Sequence, residues 1–163
     1  MKGSVNGKST RLGILGGGQL GRMFIQEAIN FDVHVHIMEN SSDAPCAEIA
    51  HSFTLGDITN FDDVYRFGQD KNVITVEIEN VNIEALYKLE AEGVKVFPQP
   101  RVLEIIKDKG VQKTFYVDND IPTSPFEMIA EGTNLSSLEI NIPFVHKLRT
   151  GGYDGYHFRR NLA

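Results

Sequence analysis

Short apolar runs alternate along the chain with longer stretches in which apolar residues recur at helical spacing. Arg11–Gly16, Val33–Met38, Ser52–Leu55, Val73–Val76 and Val94–Phe97 have the length of strands. Between the first two, Leu20, Met23, Phe24 and Ala28 repeat with a helical period. So do Phe61, Val64, Tyr65 and Phe67, and later Ile83, Leu86 and Leu89. Each helix is expected to lay that apolar face on a sheet, with Phe24, Phe61, Tyr65 and Phe67 in the core. The alternation predicts an α/β domain over residues 11–97: a doubly wound, mostly parallel sheet joined by right-handed crossovers.

Pro98 and Pro100 punctuate the chain, and a different pattern occupies 98–155. There we expect a linker helix from Arg101 to about Asn119, a turn at Ile121–Pro125 and a strand at Phe144–Leu148, followed by the glycine-rich stretch TGGYDG at 150–155. One helix and one or two strands make a poor independent core, so this reads as the start of a second domain. The small, polar residues 1–10 read as a flexible arm, and 156–163 as a separate tail.

Charge and composition narrow the partners. The 16 lysines and arginines are outnumbered by 22 aspartates and glutamates and gather on no stripe, which argues against nucleic acid and for a small molecule. No apolar run approaches the roughly 20 residues of a membrane helix, and the opening lacks a secretory signal core. Cys46 is the only cysteine, so neither an intramolecular disulfide nor a cysteine-based zinc site can form within the chain. A soluble, cytoplasmic protein is expected.

Gly16-Gly17-Gly18-Gln19-Leu20-Gly21 lies between a strand and a helix and satisfies G-x-G-x-x-G, with Glu39 at the end of the second strand. Taken alone, that reads as NAD binding. Physically it promises less: a tight turn and helix N-terminal amides able to hold an anion. A packing turn without a ligand satisfies the same pattern. His34 and His36 alternate on a strand but lack a third convergent ligand, so we expect them to pack rather than hold a metal. Cys46, between Pro45 and Ala47, has no adjacent base and reads as inert.

Four segments in order carry a more specific signal: LGILGGGQLGRM at 12–23, ITVEIENV at 74–81, KDKGVQKTFYVDNDIPTSPF at 107–126 and HKLRTGGYDG at 146–155. Together they resemble the N-terminal portion of the N5-carboxyaminoimidazole ribonucleotide synthetase family, within the ATP-grasp superfamily. The resemblance implies a Rossmann-like pre-ATP-grasp domain, a linker helix and the truncated start of an ATP-grasp domain. It also implies the chemistry of a purine-biosynthesis ligase. ATP phosphorylates bicarbonate to carboxyphosphate, the amine of 5-aminoimidazole ribonucleotide takes up the carboxyl group, and ADP and phosphate leave.

By position, the resemblance places the ribonucleotide phosphate at Gly16, Gly17, Gly18, Gln19 and Leu20. The aminoimidazole end falls to Glu79, with Glu77 as the second candidate. Lys147 and Lys109 would neutralise ATP phosphates as point charges. Gly152, Tyr153, Asp154 and Gly155 would belong to a loop over ATP, with Tyr153 and Asp154 as the catalytic candidates. Magnesium ligands are expected outside this chain, and full-length members are expected to be homodimers.

The resemblance fails after Gly155, where the family continues with a basic residue, a glycine and usually a glutamine, and this chain reads YHFRRNLA. Tyr156 takes the basic position. The expectation is therefore an altered reading frame or artificial terminus, and no turnover by these 163 residues alone. Two rival readings remain: an NAD-dependent oxidoreductase built on the glycine turn and Glu39, and a non-catalytic module that binds the ribonucleotide phosphate.

Overall fold

The alternation resolves into five strands: β1 (Arg11–Leu15), β2 (His34–Glu39), β3 (Ser52–Leu55), β4 (Val73–Val76) and β5 (Lys95–Phe97). They form one parallel sheet in the order β3-β2-β1-β4-β5. These elements come from a computed structural model, which describes residues 10–134, 138–140, 144–151 and 159–160. The chain divides into two compact units, Met1–Leu103 and Glu104–Ala163.

In the first unit, α1 (Gln19–Ala28) follows β1 and runs into a single 3-10 turn at Ile29–Phe31. Further along, α2 (Phe61–Gly68) precedes β4, and α3 (Ile83–Ala91) precedes β5. Both begin on an asparagine whose side chain accepts a backbone N–H three residues on, Asn60 from Asp63 at 3.1 Å and Asn82 from Ala85 at 2.9 Å. Each such cap contributes about 1 kcal/mol by satisfying a donor the helix cannot.

One sheet face carries Ile14, Val35 and Ile37, packed with Ile25, Ala28 and Cys46. Over the opposite face lies α2: the Phe67 ring comes within 2.9 Å of the point where a Cβ on Gly13 would stand. Gly68 does the same for the neighbouring helix, since its absent Cβ would lie 2.3 Å from Leu89. These two glycines let a helix approach the sheet and let α2 and α3 approach each other.

The apolar face of α1 is the expected one only at Ala28. Leu20, Met23 and Phe24 are 64%, 61% and 44% exposed, while Gly21, Ile25 and Ala28 are buried. Both stripes fit a helical period, and the choice falls to close approach. At Gly21 the helix comes so near Cys46 that a Cβ would stand 3.0 Å from its Sγ, so the small residue must turn inward. Of the aromatic residues assigned to the core, Phe67 is buried, Phe61 and Tyr65 stack half-buried with centroids 5.9 Å apart, and Phe24 is exposed.

His34 and His36 pack with His51. The His34 and His51 rings stack at 4.0 Å, and His36 meets His51 edge-on at 5.2 Å while its Nδ1 lies 2.7 Å from Ser52 Oγ. Among the described residues no group of three or more such ligands is arranged to hold a metal ion. None of the described helices is long and apolar enough to cross a membrane.

Past β5, the single linker helix expected over 101–119 is two helices, α4 (Pro100–Lys107) and α5 (Lys109–Asp118). Asp108 breaks it: its backbone leaves the helical region (φ −112°, ψ 111°) and its carboxylate accepts the Gly110 and Val111 N–H groups. An aspartate that caps a new helix cannot also continue the old one. The expected strand at 144–148 shrinks to β6 (Val145–His146), paired antiparallel with β7 (Arg159–Arg160).

Candidate functional site

In the order β3-β2-β1-β4-β5 the chain runs outward in one direction from β1 to β2 and in the other from β4 to β5. The reversal lies between β1 and β4. In open parallel sheets the crevice beyond the carboxyl ends of such a pair is where ligands bind, because the two crossovers diverge there. Gly16–Gly18 leaves β1 on one side of that point, and Glu77 and Glu79 leave β4 on the other.

The turn is tied to both neighbouring strand ends. Gly16 has φ +103°, which ends β1, and its N–H donates to the Met38 carbonyl at 2.9 Å. Gly17 N–H donates to Glu39 Oε2 at 2.9 Å, and the other oxygen of Glu39 accepts Asn40 N–H at 2.7 Å. Across the crevice, Glu77 N–H donates to the Leu15 carbonyl at 2.8 Å. Its carboxylate fills the space above the turn: Oε1 lies 2.6 Å from where a Cβ on Gly18 would stand, and Oε2 lies 3.0 Å from that of Gly16.

A buried cysteine closes the turn from beneath. Cys46 N–H donates to the Gly17 carbonyl at 3.0 Å and its Sγ to the Gly18 carbonyl at 3.4 Å. Burial, reinforced by the Glu77 charge, pushes the thiol above its ordinary pKa, so the nucleophilic thiolate is suppressed.

Two carboxylates therefore sit at a turn that the motif alone offers to an anion. The Gly17 amide is already donated to Glu39, and each Glu39 oxygen accepts a backbone amide, so this carboxylate supports the turn. Of the acidic pair, Glu77 lies against the turn, while Glu79 is half-buried in the bend beyond β4. Gln19 and Leu20 are exposed at the head of α1. The sequence reading missed Glu39 as the support of the turn. Its spacing from the glycines reads only as a dinucleotide signal.

The second unit holds the two lysines. Lys109, the first residue of α5, is half-buried and its Nζ donates to the Gly151 carbonyl at 2.8 Å. Lys147 is exposed just after β6. Gly152, Tyr153, Asp154 and Gly155 lie outside the described residues. Unforeseen from sequence is the bidentate pair of Arg149 with Asp108, Nε to Oδ1 at 3.0 Å and Nη2 to Oδ2 at 2.7 Å. An aspartate followed by Lys-Gly-Val was a legible cap signal, yet nothing local indicated a partner 41 positions away.

Comparison with known proteins bears on the same elements. Residues 9–107 match the family described as the ribonucleotide synthetase preATP-grasp domain. The chain is 35% identical over 155 residues to a phosphoribosylaminoimidazole carboxylase of Ogataea methanolica, covering 90% of this chain and 28% of that one. Among solved structures it is similar to N5-carboxyaminoimidazole ribonucleotide synthetase from Thermotoga maritima, with TM-score 0.76 and 32% identity over 88% of this chain and 39% of that one. It is also similar to the N5-carboxyaminoimidazole synthase of Aspergillus clavatus in complex with ADP and 5-aminoimidazole ribonucleotide. There the TM-score is 0.66 and the identity 29%, over 73% and 32% of the two chains. The chain thus spans between about a quarter and two-fifths of the length of these relatives.

Proposed function

Because the chain belongs to the ribonucleotide synthetase preATP-grasp domain family, we propose that it supplies the ribonucleotide-facing part of an ATP-dependent ligase that carboxylates 5-aminoimidazole ribonucleotide. The observation that carries the reading is the placing of Glu77 against the glycine turn at the reversal point of the sheet. A carboxylate there accepts hydrogen bonds from an amine, and its charge repels a pyrophosphate. The aminoimidazole end lies toward Glu77 and Glu79. With the Gly17 amide occupied, the ribonucleotide phosphate is left the head of α1 at Gln19 and Leu20.

In the same reading Lys109 and Lys147 neutralise nucleotide phosphates, and Tyr153 and Asp154 close over the reacting groups. Bicarbonate is the second substrate. The whole ligase is cytoplasmic and homodimeric, and it uses magnesium held by residues other than those described here. When bound, that ion offsets phosphate charge during transfer.

Calorimetric titration of the 163-residue chain with 5-aminoimidazole ribonucleotide tests the proposal. Saturable binding is expected, weakened about tenfold in Glu77→Gln, which keeps the shape but loses a charge-assisted contact. Binding of NADH, with none of the ribonucleotide, would transfer the site to the oxidoreductase reading. A Glu79→Gln variant weaker than Glu77→Gln would move the amine contact two residues along the bend.

A further inference from the structure

Asp108 does two jobs with one carboxylate. Its Oδ1 accepts the Gly110 and Val111 amides at 2.8 and 3.2 Å, starting α5, and the same oxygen accepts Arg149 Nε at 3.0 Å. Its Oδ2 accepts Arg149 Nη2 at 2.7 Å. The main chain docks as well, since Lys109 N–H donates to the Arg149 carbonyl at 2.8 Å and Lys109 Nζ donates to the Gly151 carbonyl. Arg149 is thus held by both its side chain and its backbone, two positions from Lys147.

Gly110 is shaped to this arrangement. A Cβ there would stand 2.8 Å from Arg149 Nε and 2.8 Å from Met128 Sδ, so a larger residue would make those two side chains shift. A surface ion pair formed by chance needs no such space. The planar fork of arginine also matters, because a lysine has no second nitrogen with which to make two parallel bonds to the carboxylate.

We propose that Asp108 and Arg149 are positioning residues: together they fix the segment carrying Lys147 against the end of α5 that carries Lys109, setting the spacing of the two lysines before a nucleotide arrives. The role rests on the nucleotide reading of Lys109 and Lys147 given above. Its energetic gain lies in preorganisation, since a ligand that meets two cations already placed loses less by ordering them.

The test uses the 163-residue chain with Asp108→Ser, Arg149→Gln and the double variant. Serine still caps a helix but cannot pair with a guanidinium, so Asp108→Ser separates the two jobs. Hydrogen exchange at the Lys109 amide reports the docking directly, with the α5 amides of Thr114–Val117 as control. Arg149 is 61% exposed, which limits the effect, and exchange is expected to rise about three- to fivefold in each single variant and no further in the double. ADP affinity is expected to fall by a similar factor, again without addition.

Unchanged exchange at Lys109 overturns the docking. Faster exchange with ADP affinity equal to the parent's overturns the positioning role and leaves a merely structural pair. If the parent binds no ADP, the nucleotide reading fails and the positioning role falls with it, while exchange still reports whether the pair docks the segment.

Discussion

Lowering the pH from 7 to 5 is expected to weaken the sheet through His36, which is 7% exposed on β2. Burial, then the charges of Lys71 and Arg11 and the nearby His51, lower its pKa to about 4 against an ordinary 6.5, with Asp70 pulling weakly the other way. The unfolded chain therefore takes up this proton more readily than the folded one. Stability is full above 6.5 and drains as pH falls toward 4. Integrated over the step from pH 7 to 5, the linkage gives a loss of about 2 kcal/mol.

Asp70 does not blur that window. Burial acts to raise its pKa, but the hydrogen bond and charge of Lys71 pull it below 3.8, so its contribution is lost only at lower pH. The comparison is with His36→Asn, whose side-chain oxygen can take the place of Nδ1 toward Ser52 Oγ but which does not titrate. Urea unfolding at pH 7, 6 and 5 should move the parent midpoint down by about 1 M, for a slope near 2 kcal/mol/M. The variant starts lower and stays flat. Parallel pH dependence in the two proteins would refute the assignment.

Glu39→Ala removes two backbone contacts and strands the buried Gly17 amide, so a loss of about 2 kcal/mol is expected, measured as a fall of roughly 4–8 °C in melting temperature. A fall under 1 °C would mean that water or a shifted side chain replaces the carboxylate. Gly68→Ala forces a methyl group into Leu89, which is fully buried. The overpacking outweighs the gain in helix propensity and should cost about 1–2 kcal/mol in urea unfolding; a stabilised variant would show that α2 and α3 can separate freely.

What was legible in the sequence is what depends on local pattern. Five strands and three helices of the first unit follow from apolar runs and spacing, with ends shifted by one residue where Gly16, Val33 and Val94 leave the ladder. The inward face of α1 was legible only at Ala28, because Leu20-Met23-Phe24-Ala28 and Gly21-Ile25-Ala28 are both acceptable helical stripes. Only the contact with Cys46, some 25 residues away, selects between them. The break at Asp108 was written in a capping residue but hidden by continuous helical composition on either side.

The same limit governs the chemistry of the glycine turn. G-x-G-x-x-G states that side chains are excluded, not what excludes them. Here Glu77 stands over Gly16 and Gly18, Glu39 takes the Gly17 amide and Cys46 packs against Gly21. Each glycine in the motif is thereby accounted for by the protein itself. A phosphate approaching Gly17 meets two carboxylates first, whereas an amine or hydroxyl meets acceptors. In the proposed reading, a carboxylate-lined turn at the sheet's reversal point favours the donor end of a ligand, and the glycines of the motif make room for acid.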